Sequence, residues 1–92
     1  MKVIIRDDAY HDLERIQAWI AKDRPSAADA VVERILKSIG LLEPFPLIGR
    51  AGRVPGTREL MIGGLPYIAV YCVDDQADEV AVIAVFHAAQ NR

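Results

Sequence analysis

DDAYHDLERIQAWIAKDRPSAADAVVERILKSIGLL, residues 7–42, decides how this chain folds. Its first half spaces Ala9, Leu13, Ile16 and Ile20 three and four apart, which puts them on one face of a helix running to about Lys22. Asp7 and Asp8 stand where an N-cap belongs, and their charge suits the positive end of the helix dipole. Asp23-Arg24-Pro25-Ser26 breaks the pattern and restarts it, because a proline in the first helical turn loses no hydrogen bond. Ala28, Val31, Ile35, Ile39 and Leu42, widened by Val32 and Leu36, predict a second helix over 25–42. So short a link makes the two helices antiparallel neighbours.

Outward from this hairpin the chain reads as strands and turns. Residues 2–6 are rich in β-branched side chains and predict a short strand. On the other side, Pro44, Pro46, Gly49, Gly52, Pro55 and Gly56 fill a connector that also carries Arg50 and Arg53. A strand over 57–62 follows, then Gly63-Gly64, a strong hairpin signal. The next strand covers 66–73, with Pro66 tolerated at its first position. A polar turn over 74–78 leads to the last strand, 79–87. That strand is apolar at every position from Val80 through Phe86, so both its faces should be covered and it should be central. The order β-α-α-β-β-β predicts an α+β fold: a two-helix antiparallel hairpin packed on one face of a mostly antiparallel four-stranded sheet. Alternation in 66–73 separates Ile68, Val70 and Cys72 from Tyr67, Ala69 and Tyr71. The aliphatic set is expected to face the helices, and the tyrosines the open side.

The chain has 92 residues, which bounds it to a single domain over 1–92. With 52% hydrophobic residues it carries more apolar surface than one small core needs, so part of it is expected to meet a partner. The formal charge of −2 lacks the basic surplus of a protein that wraps nucleic acid. A single cysteine, Cys72, forms no internal disulfide and fits a reducing compartment. The apolar run at the start is too short for a signal-peptide core, and no run approaches the ~20 residues that cross a bilayer. The expected location is the cytoplasm, with no membrane contact.

The polar groups attached to the strands are Tyr67, Tyr71 and His87, and Arg50, Arg53 and Arg58 crowd one stretch without an acid between them. As packing residues, strand tyrosines keep the hydroxyl wet and a strand-ending histidine sits in a turn. As a site, the same six form a basic and aromatic rim suited to gripping a target. Trp19 lies beside the first helical stripe and reads as a core-edge residue or as an exposed partner anchor; the core is favoured. His11, His87 and Cys72 lack the close ligand pairs of a zinc site. The glycines lack the lysine and Ser/Thr of a phosphate loop, and no serine elbow is present. No cofactor and no metal is expected.

Four motifs, in order, resemble the ParE branch of the ParE/RelE toxin superfamily over essentially the whole chain. Ala9…Asp12-Leu13…Ile16…Trp19-Ile20 is similar to its first-helix pattern. FPLIGRAGRVPGTREL, residues 45–60, is similar to its connector and is the most specific piece. PYIAVYCVDD, residues 66–75, and VIAVFHAAQNR, residues 82–92, are similar to its last two strands. The resemblance implies two helices on an antiparallel sheet. It also implies a cognate antitoxin, expected to be of ribbon-helix-helix type with a disordered tail, through which alone operator DNA would be met. Trp19, Ile20, Val32 and Leu36 are the candidate antitoxin contacts.

ParE toxins inhibit DNA gyrase and RelE toxins cut messenger RNA on the ribosome, and a shared scaffold does not choose between them. Ribose-directed cleavage calls for basic side chains and a proton donor. RelE-type toxins commonly place arginine after the tyrosine that opens the third strand, where this chain has Ile68, and further basic residues where it has Met61-Ile62-Gly63-Gly64. A basic segment with a tyrosine beyond residue 92 is also missing. The expected function is therefore that of a gyrase-binding toxin in a plasmid or chromosomal stabilisation system. The target contacts would come from Arg50, Arg53, Arg58, Tyr67, Tyr71 and His87. The alternatives are a ribosome-dependent endonuclease using Arg58 and His87, and a non-toxic relic that only binds antitoxin.

Overall fold

The computed structural model describes residues 1–89. The elements are β1 (Lys2–Ile5), α1 (Asp7–Ala21), α2 (Pro25–Gly40), β2 (Arg50–Ala51), β3 (Arg58–Met61), β4 (Tyr67–Asp74) and β5 (Glu79–His87). The predicted hairpin forms where the stripes place it, with Pro25 in the first turn of α2. The cap of α1 differs from expectation. Arg6 is the N-cap, its backbone still extended and its N–H bonded to the Val82 carbonyl at 2.9 Å. Asp7 and Asp8 sit inside the first turn and act through the helix dipole, not as caps.

The sheet has five strands where four were expected, in the order β1-β5-β4-β3-β2. The addition is β2, two residues of the connector that pair antiparallel with β3, Arg50 opposite Glu59 and Ala51 opposite Arg58. β1 runs parallel to β5, and the other pairings are antiparallel. The hairpin after β3 turns on Gly64, whose φ of +76° is a conformation that a side chain would strain.

One residue changes the facing of β5. Val70 pairs with Ala84 but Tyr71 pairs with Val82, so Ile83 is an extra residue bulged out of the ladder. The bulge puts Val80, Val82 and Val85 on one face together, which strict alternation forbids. It also sends His87 to the same face as Tyr67, its partner in the register.

The face assignment of β4 is the reverse of the sequence expectation. Tyr67, Ala69 and Tyr71 join Leu13, Ile35, Ile39, Leu42, Leu60, Val80, Val82 and Val85 in the core under the helices. Tyr71 is 0% exposed. Its ring can be buried because its hydroxyl finds a partner inside, the Gly49 N–H at 2.9 Å. Ile68 and Val70 face the other side and are covered there by the connector beside β2 and β3.

β5 is central only in part. β1 pairs with it through Ile5 opposite Val82 and stops there, so from Ile83 onward no other strand of the described residues pairs with β5 on the side away from β4. α1 covers the exposed ladder at one point. The Asp12 carboxylate accepts the Val85 N–H at 2.9 Å and so satisfies an amide that an absent strand would otherwise take.

Candidate functional site

Two cavities flank the second half of β5. The first, about 900 Å³, lies on the helix side between α1 and β5. Asp8, Asp12, Arg15, Ile16 and Trp19 form its helical wall, and Tyr67 and His87 its end. Arg15 and Asp12 pair one turn apart on α1. Trp19 is 70% exposed, which corrects the expectation of a core residue, and the Lys22 ammonium stands 5.3 Å from its ring centroid. Of the four candidate antitoxin contacts Trp19 alone lines this groove. Leu36 is exposed and Ile20 and Val32 are half-buried, all outside it.

His87 is half-buried at the groove's end. Its ring meets that of Tyr67 edge-on, with centroids 5.4 Å apart and planes at 79°, and its Nδ1 accepts the Ala89 N–H at 3.0 Å. Tyr67 itself is buried.

The three arginines do not form one rim. Arg58 is turned into the connector, where its Nη1 donates to the Gly49 carbonyl at 2.8 Å and to the Leu47 carbonyl at 3.3 Å. Together with the Tyr71 hydroxyl it fixes the backbone around Gly49, where an added Cβ would come within 2.7 Å of that hydroxyl. Arg50 pairs with Glu59 at 3.2 Å across β2 and β3. The Arg53 guanidinium has no hydrogen-bond or ion-pair partner among the described residues.

Register also separates Arg58 from His87. Arg58 sits opposite Tyr71 and His87 opposite Tyr67, on the two strands flanking β4. Four strand residues and two strand spacings put their Cα atoms roughly 17 Å apart. The second cavity, about 740 Å³, lies on the opposite face of the sheet between the connector and the β4–β5 floor.

A helical hairpin on one face of an antiparallel sheet with a parallel first strand is the architecture of ParE/RelE-superfamily toxins. Over 95% of both chains it superposes on a chain of the chromosomal ParDE toxin–antitoxin system from P. aeruginosa, with a TM-score of 0.79 at 22% identity. The RelBE2 toxin–antitoxin complex of Mycobacterium tuberculosis matches 94% of this chain and 95% of its own at a TM-score of 0.64 and 28% identity. Isolated E. coli RelE matches 99% of this chain and 87% of its own at 0.68 and 19%.

Sequence carries the assignment further. Residues 3–92 match the ParE toxin family of type II toxin–antitoxin systems, and the chain belongs to that family. Y4kP, a candidate toxin of Sinorhizobium fredii, is 40% identical over 82 residues, 89% of this chain and 82% of its own. The closing motif of the resemblance extends to Gln90, Asn91 and Arg92, which lie outside the described residues. No helix of the described residues is long and apolar enough to cross a membrane.

Proposed function

We propose that the chain is a toxin that acts by binding DNA gyrase and is neutralised by a cognate antitoxin, with no covalent step of its own. The observation that carries this reading is the dispersal of the groups that a ribonuclease would need. Arg58 is spent on two connector carbonyls. The Cα of His87 lies roughly 17 Å from its own, by strand spacing. Proton transfer to or from a reacting group requires a donor within about 3 Å of it, and charge stabilisation requires its cation at the same centre. These two residues do not share a centre.

The antitoxin part of the reading rests on the groove. The P. aeruginosa and M. tuberculosis relatives are parts of toxin–antitoxin systems. Here the groove offers an exposed tryptophan, an aliphatic wall at Ile16 and a strand edge whose Val85 N–H is held by Asp12. An extended antitoxin tail would add to that edge and seat a side chain against Trp19, burying about 1,000 Å² or more. The proposed antitoxin is of ribbon-helix-helix type, encoded beside the toxin, and it supplies the contact with operator DNA.

Co-expression of the chain with its genomic neighbour, followed by size exclusion, tests the partner. A complex holding both chains is expected, and a toxin that elutes alone contradicts it. Supercoiling assays with purified gyrase test the target.

A further inference from the structure

The second cavity lies where the connector covers the outward sheet face only in part. A solvated antiparallel face alternates apolar residues with polar ones that point outward. Here Ile68 and Val70 of β4 lie buried at the base, Phe86 of β5 and Ile83 are half-buried beside them, and the polar Glu59 stands at the edge. Together they floor a trough walled by Val54, which is itself 62% exposed. An apolar trough with a polar rim marks a surface that meets another molecule.

The wall is fixed in place. The connector carries few buried side chains, yet its backbone is tied at each turn. Gly49 bonds to Tyr71 and Arg58. The Gly52 N–H donates to the Thr57 carbonyl at 2.8 Å, and the Thr57 hydroxyl donates to the Val54 carbonyl at 2.6 Å. A surface ordered before binding loses less entropy when it binds.

The charge of the rim selects the partner. Arg50 and Arg53 stand against one acid, Glu59, which already holds Arg50. That leaves the Arg53 guanidinium to pair with an incoming carboxylate. Two arginines, one of them paired, are too few to hold a nucleic-acid backbone, and Phe86 is the lone aromatic ring in the trough. The chemistry suits a protein segment.

We infer that this trough is where the chain grips its target, taking an apolar segment of that protein that carries a carboxylate beside Arg53. The inference rests on the binding-toxin reading and gives it a location. It also gives neutralisation a geometry. Ile83 and Phe86 border both cavities, so an antitoxin seated in the groove lies directly beside the trough.

Arg53→Glu and Val54→Ser, made singly in the full chain, test it. Both residues are exposed, so thermal melting should stay close to that of the parent. Three readouts are taken: inhibition of purified gyrase, growth arrest on expression, and affinity for the neighbouring antitoxin. The expected result is ~10-fold or greater loss of inhibition and relief of growth arrest, with antitoxin affinity held within about threefold. Unchanged toxicity overturns the inference. So does a loss of antitoxin affinity, which would assign the trough to the antitoxin, and so does binding of the parent to RNA that Arg53→Glu abolishes. A parent that arrests growth without touching gyrase removes gyrase as the target, while growth arrest still reads the trough. A parent that does neither overturns both.

Discussion

The Tyr71 hydroxyl lies in the core, where the Gly49 N–H donates to it at 2.9 Å. Tyr71→Phe keeps the ring and strips that N–H of its acceptor. A buried donor left unsatisfied costs about 1–3 kcal/mol, so urea denaturation should show a loss in that range. No loss would mean that the amide finds another acceptor. Asp12 plays the corresponding part at the strand edge. Asp12→Ala should cost about 1–2 kcal/mol by freeing the half-buried Val85 N–H, read in the same titration. Neither partnership was legible in the sequence. A tyrosine in a strand carries no mark of where its hydroxyl will end, and Asp12 reaches an amide that lies far along the chain. The motif around Arg58 was visible, but its task was not, since an arginine in a loop serves a target or a carbonyl equally well.

Helix α1 and helix α2 were readable because their apolar spacing repeats over many residues and one proline divides them. Ala9, Leu13, Ala28, Ile35 and Ile39 are all buried, on the faces the spacing assigned. Ile35 is 0% exposed at the centre of the helix–sheet contact. Ile35→Ala should cost about 2–5 kcal/mol, and a loss below about 1 kcal/mol in chemical denaturation would contradict that packing. The strands were located nearly as well, but their faces were not. Ile68, Val70 and Cys72, the outward residues of β4 before its closing Asp74, are as apolar as its inward ones, so alternation gave no sign of direction. Burial of Tyr71 and the bulge at Ile83 settle it, and a bulge depends on long-range pairing that local sequence does not encode. β2 escaped notice for the same reason: two residues pair only because β3 is already there.

Across the whole molecule, an exposed tryptophan and two cavities on either side of one strand are the surfaces on which the proposed binding reading rests. Nothing in this arrangement gathers Arg58 and His87 at a common centre. The most direct measurement is therefore made on one purified preparation in two assays, supercoiling by DNA gyrase and cleavage of ribosome-bound messenger RNA, with the parent chain and His87→Ala. The expected result is inhibition of supercoiling by both proteins at similar concentrations, with the messenger left uncut, because His87 contributes at most one contact to a surface. Site-specific cleavage by the parent that falls by about 10²-fold or more in a folded His87→Ala would show a general acid or base at work and would contradict the account.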